Sequence, residues 1–178
     1  MLLPTIRSRC VALDLKPVSS IQVKKYLMDE VKIPEYRADI CTAFAQGNVG
    51  KAKRLALSGD FSEMLEHALH LVKYIQDMEV VDIIADLKRI DTYKMEINDY
   101  LDILMVWYRD VLMFKATRDA DSLVFSDELI SIREKVKRSS YEGLECVLKA
   151  LDKAKMRLNA NVNFDMALEL LLLTMKEN

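Results

Sequence analysis

Apolar residues recur every three or four positions along most of the chain. Phe61, Met64, Leu65, Ala68, Leu71, Val72 and Ile75 make one such stripe, and Ile97, Tyr100, Leu101, Leu104, Tyr108, Val111 and Leu112 make a second. Leu144, Leu148, Leu151 and Leu158 mark a third, after the turn-like pair Ser139-Ser140. This spacing gathers apolar side chains on one face of an α-helix, whereas a strand needs alternation, which is hard to find after the opening segment. Pro4, Pro17 and Pro34 are the only prolines, so the chain from Glu35 onward lacks the strongest helix breaker. It is also rich in Leu, Ala, Lys, Glu and Met, which favour helix. The pattern predicts an all-α fold.

The breakers that do occur punctuate the first third of the chain. Ser19 and Ser20 are placed to cap a helix reaching about Val31, before Pro34 interrupts. A second helix is expected from Pro34, in its first turn, to Gln46, with Gly47 as a left-handed stop. Asn48 caps a short third helix that ends near Gly59. Three short helices of this kind form a small bundle, and longer helices follow. The domain boundary is therefore placed at Gly59, giving a three-helix domain over residues 1–58 and a larger helical bundle over residues 59–178.

The last helix departs from the one-sided pattern. Capped by Asn163, it carries apolar residues on nearly every side between Met166 and Leu173. Such a helix must be buried on all faces or shared with a partner. The same run contains Glu169 and is far too short to cross ~30 Å of hydrocarbon.

Charge narrows the function classes. Charged residues make up 30% of the chain, with a formal net charge of −2, which weighs against a stand-alone nucleic-acid binder. Cys10, Cys41 and Cys146 stand singly, without metal-ligand spacing, as suits a reducing compartment. No signal peptide is visible, and a cytoplasmic location is expected.

Catalytic parts are missing. The four glycines, Gly47, Gly50, Gly59 and Gly143, match neither a phosphate loop nor a dinucleotide fingerprint, so no cofactor is expected. The two histidines, His67 and His70, follow Glu63 and Glu66 by one turn. The apolar stripe leaves these four positions mostly on the outer side, and a solvated face accounts for them better than a metal site. Asp82 and Asp86 read as surface charges balanced by Lys88 and Arg89.

Four stretches carry a family resemblance. Leu2-Leu3-Pro4-Thr5-Ile6-Arg7-Ser8-Arg9-Cys10 resembles the end of the AAA+ ATPase domain of clamp-loader subunits, with their Ser-Arg-Cys motif. Ala45-Gln46-Gly47-Asn48-Val49-Gly50-Lys51-Ala52 resembles the start of the last helix of the small AAA+ lid. Trp107-Tyr108-Arg109-Asp110-Val111-Leu112 resembles an Arg-Asp motif of the C-terminal domain. Asn159-Ala160-Asn161-Val162-Asn163, followed by Leu168-Glu169-Leu170-Leu171, resembles the closing helix pair. In this order they resemble the C-terminal part of delta-prime-type subunits of the bacterial DNA polymerase III clamp loader.

The resemblance implies an AAA+ lid followed by a collar domain, and a nucleotide-binding core preceding Leu2. Collars of this family join five subunits into a ring-like pentamer, so the implied partners are gamma/tau and delta subunits. The sliding clamp and primed DNA are met only within the complex, and no membrane is involved. Arg9 matches an arginine finger that reaches a neighbour's ATP site, where such a cation can be worth ~10³ or more in rate. Without the core, Arg9 is expected to act as an ordinary loop residue, and Arg7 as a structural one. Gly50 stands where ATP-hydrolysing subunits place a phosphate-sensing arginine, which favours delta-prime over a gamma/tau motor. Lys51, Lys53 and Arg54 nearby read as a solvated basic face.

Arg109 and Asp110 are adjacent on a helix and are expected to point apart rather than pair, serving collar packing or a cross-helix ion pair. Trp107 reads as core, with an interface anchor as the alternative. Asn159, Asn161 and Asn163 read as turn and cap residues, and Leu168 and Leu171 as part of the closing helix pair. A reading of another class, a helical nucleic-acid-binding module, rests on Arg133, Lys135, Lys137 and Arg138 alone, and these alternate with Glu134 and Val136.

Overall fold

A computed structural model describes Arg9, Cys10 and residues 16–178 of the chain. Among the described residues there are nine α-helices, two 3-10 turns and no strand. The all-α expectation holds. The chain divides into two compact units between Ala56 and Leu57.

The first unit is built on α1 (Ser20–Asp29), α2 (Glu35–Ala45) and α3 (Val49–Leu57). Helix α1 starts after Ser19, whose hydroxyl donates to Gln22 Oε1 at 3.0 Å rather than capping the backbone. Pro34 sits just before α2 in extended conformation rather than within its first turn. Both Gln46 (φ 47°) and Gly47 (φ 83°) then turn left-handed, so the stop takes two residues. The Gly47 carbonyl accepts from Val18 N–H at 3.0 Å, and a Cβ at Gly47 would lie 2.6 Å from Pro17 Cβ. Asn48 Oδ1 accepts from Lys51 N–H at 2.9 Å and so caps α3. Val23, Leu27, Ala38, Cys41 and Ala52 have no exposed surface and form the core of this unit. Lys24 ties α1 to α2 through ion pairs of 2.8 Å to both Glu35 and Asp39.

The second unit comprises α4 (Gly59–Tyr74), α5 (Val80–Asp91), α6 (Ile97–Thr117), α7 (Leu129–Arg138), α8 (Tyr141–Asn159) and α9 (Phe164–Glu177). Short 3-10 turns at Lys94–Glu96 and Ser126–Glu128 lead into α6 and α7. Helix α6 is central, packing against α4, α7 and α8, while α9 packs on α8 and touches α5. Its central place explains its composition: Tyr100, Leu101, Ile103, Leu104, Trp107 and Tyr108 point to several sides, and all are buried. Each large apolar side chain so buried contributes roughly 1.5–3 kcal/mol.

The apolar stripes read from the sequence face this core, with Leu65, Leu112, Leu148 and Leu158 only half-buried at its edge. Val147 and Ala154 complete the buried face of α8. Helix starts are capped by side chains: Ser58 accepts from Phe61 N–H at 3.1 Å, Ser140 from Gly143 N–H at 2.9 Å. At the other end of α7, Lys115 donates to the carbonyls of Val136 and Ser139, satisfying groups that the helix leaves open. None of the described helices is long and apolar enough to cross a membrane.

Candidate functional site

The residues singled out from the sequence fall into separate places. Arg7 and Ser8 lie outside the described residues. Arg9 and Cys10 are exposed. Gly50 opens α3, beside the half-buried Lys51 and the exposed Lys53 and Arg54.

Trp107 has no exposed surface and meets Tyr108 edge-on, with ring centres 5.3 Å apart. It is a core residue of the second unit. Arg109 and Asp110, expected to point apart, form an ion pair of 3.0 Å between Nη2 and Oδ1. The guanidinium is long enough to curl back along α6 to its neighbour, which helical spacing of Cβ atoms does not forbid. Asp110 is fully buried, and its other oxygen accepts from the backbone N–H groups of Val124 and Phe125, both at 2.8 Å. A buried carboxylate is tolerated only when its lone pairs are filled in this way. The Arg-Asp pair therefore pins the loop between α6 and α7.

His67 also departs from its expected place. It is buried rather than outward-facing, with Nδ1 3.0 Å from the Tyr100 hydroxyl and Nε2 3.3 Å from Asp86 Oδ1. Asp86 is thus a partner of the core and not simply a surface charge. Burial pushes the His67 imidazole below its usual value, and Asp86 offsets part of that. Asp82 caps α5, accepting from Glu79 N–H at 3.0 Å. His70, Glu63 and Glu66 are exposed. Among the described residues no three His, Cys, Asp or Glu side chains are grouped to hold a metal ion.

The basic cluster on α7 does not form one face. Lys135 is buried, Arg138 pairs with Asp77 at 2.9 Å, and Arg133 lies 5.7 Å from the Phe114 ring centre.

The closing helix pair carries an exposed apolar stripe. Asn161 takes a left-handed conformation (φ 57°) in the turn after α8, and Asn163 Oδ1 accepts from Met166 N–H at 2.9 Å to cap α9. Leu168 and Leu171 point inward with Ala167, Leu172 and Met175, and all are buried. Met166, Leu170 and Leu173 lie on the opposite face at 58%, 45% and 41% exposure. Their spacing of four and three residues makes one apolar stripe along the helix. Val162, in the preceding turn, is also exposed. The signal for this stripe was the unbroken apolar run. Which of its residues face outward needed the packing of α9 on α8.

Residues 79–177, from the start of α5 to the end of α9, match the family described as "DNA polymerase III, delta subunit, C terminal". The chain belongs to this family. It is also similar to "DNA polymerase III subunit delta'" of Bacillus subtilis (strain 168), with 27% identity over 180 residues. That alignment covers 99% of this chain and 54% of the relative, so the chain spans about half the relative's length. The family match contains the Arg109–Asp110 pair and the outer stripe of α9. The alignment to the relative takes in both compact units.

Proposed function

We propose that this chain is the lid-and-collar part of a delta-prime-type subunit of the DNA polymerase III clamp loader. It has an assembly role and no catalytic centre of its own. The first unit is the AAA+ lid and the second the collar. The observation that carries this reading is the exposed stripe of Met166, Leu170 and Leu173 within the span that the family matches. Exposed apolar side chains aligned along a well-packed helix are what a helix-to-helix contact between subunits requires.

In this reading the collar joins gamma/tau and delta subunits. The complete subunit then helps a neighbour use ATP to place the sliding clamp on primed DNA. Arg9, exposed and carried ahead of the lid, serves the neighbour's ATP site as a trans-acting finger. Gly50 offers no side chain to sense phosphate, which fits a subunit that assists hydrolysis rather than performing it.

Co-elution tests the reading. The chain is run on a sizing column with light scattering, alone and with the collar domains of gamma/tau and delta. A stable hetero-oligomer is expected. A folded chain that ignores every loader subunit overturns the assembly role.

A further inference from the structure

Helix α9 is not alone in turning apolar side chains outward. On α5, Ile83 and Ile90 are buried, whereas Val80 and Ile84 are 64% and 49% exposed. Two contacts set the course of one helix along the other. Lys176, near the end of α9, donates to the carbonyl of Met78, just before α5. Lys94, just after α5, lies 4.7 Å from the ring centre of Phe164, the first residue of α9. The start of each helix meets the end of the other, so the packed pair α5 and α9 runs antiparallel.

Helical phase decides which flank of α5 borders α9. Asp82, Ala85 and Asp86 line a cleft with His70 and Tyr74 of α4, and Asp86 reaches His67. At about 100° per residue, Val80 and Ile84 fall on the other side of the buried Ile83 and Ile90. That flank is the one away from α4, toward α9. On α9, Leu173 stands one turn before Lys176 and so lies beside the same seam, with Met166 and Leu170 further round the helix.

The charges beside these apolar residues are mostly negative. Asp165, Glu169 and Glu177 of α9 are exposed, and its one lysine, Lys176, is turned to the Met78 carbonyl. On α5, Glu79 and Lys88 are both exposed.

We infer that α5 and α9 form one docking surface for an amphipathic helix of a neighbouring loader subunit, with an apolar face edged by Lys or Arg. The inference rests on the assembly role proposed above and adds the α5 edge and the chemistry of the partner. A third helix laid along two antiparallel ones buries its apolar ridge against both. Its basic edge then meets the carboxylates of α9, whereas a second copy of this chain, docked about a two-fold axis, would set those carboxylates against each other.

The test is calorimetric titration of the chain with the gamma/tau and delta subunits, at low and at raised salt. Ile84→Glu should weaken binding at least fivefold. Glu169→Lys should also weaken it, and should flatten the loss of affinity that salt causes in wild type. Hydroxyl-radical footprinting of the wild-type complex needs no variant, and should show Val80 and Ile84 protected along with Leu170. If Leu170→Glu weakens binding while Ile84→Glu binds as wild type and Val80 and Ile84 stay unprotected, the α5 edge is overturned and the assembly role stands. Binding by Glu169→Lys as tight and as salt-dependent as wild type overturns the basic partner helix. A wild-type chain that pairs with itself through Ile84 and Leu170 replaces that helix by a second copy. A folded chain that binds neither subunit overturns the assembly role itself.

Discussion

Asp110 holds Phe125 by its backbone: the buried carboxylate oxygen Oδ2 accepts the Phe125 N–H at 2.8 Å, and the Val124 N–H at the same distance. One side chain of α6 thus fixes the loop that leads to α7. The neighbouring Arg109 supplies the counter-charge from the half-exposed side.

Asp110→Ala removes the acceptor for two backbone donors and leaves them in a cavity. Each buried unsatisfied donor costs about 1–3 kcal/mol, so a loss of about 3 kcal/mol in urea unfolding is expected. Asp110→Asn keeps one carbonyl acceptor and should lose less. A stability within about 0.5 kcal/mol of wild type for Asp110→Ala contradicts the anchoring role.

His67 makes stability depend on pH in a defined direction. Its folded pKa lies below the ordinary value of about 6.5, chiefly through burial. Between the two values the unfolded chain holds the proton and the folded chain does not. Stability is therefore complete above about 6.5 and falls as pH drops through the folded pKa. Urea unfolding between pH 7.5 and 5.5 should show this decline in wild type and a flatter profile in His67→Gln. Equal slopes for the two proteins exclude His67 as the cause.

Gly47→Ala is expected to destabilise the first unit. A non-glycine residue in left-handed conformation costs about 1–2 kcal/mol, and here its Cβ would also collide with Pro17 Cβ and the Val18 carbonyl oxygen. Amide exchange at Val23 and Leu27 should quicken while that of the α6 core stays slow. Unchanged exchange at Val23 and Leu27 contradicts this.

Much of the fold is legible in the sequence because helix punctuation is local. Gly47, Asn48 and Asn163 announce stops and caps through their own backbone and side-chain chemistry. The apolar spacing of α4 and α6 fixes which faces turn inward. Polar partnerships were not legible, because they form between residues distant in sequence or through flexible side chains. His67 sits beside the stripe of α4, and only Asp86 and Tyr100 on other helices make its burial tolerable. Lys135 looks like one of four solvated cations until α7 packs against α6. Pairing of Arg109 with Asp110 depends on a side-chain bend that helical periodicity does not encode. For the candidate site, the apolar excess of the last helix was readable, but its division into an inner and an outer face was not.

The central claim is that the outer stripe of α9 joins this chain to its neighbours. The most direct test is the dissociation constant for the gamma/tau and delta collar domains, measured by calorimetry for wild type and Leu170→Glu. An equivalent change at the exposed Ile21 in the first unit serves as control. Leu170 is 45% exposed, so the variant should fold normally. A charge placed in an apolar contact should weaken binding at least tenfold, about 1.4 kcal/mol, while Ile21→Glu binds as wild type. An unchanged constant for folded Leu170→Glu would contradict the account.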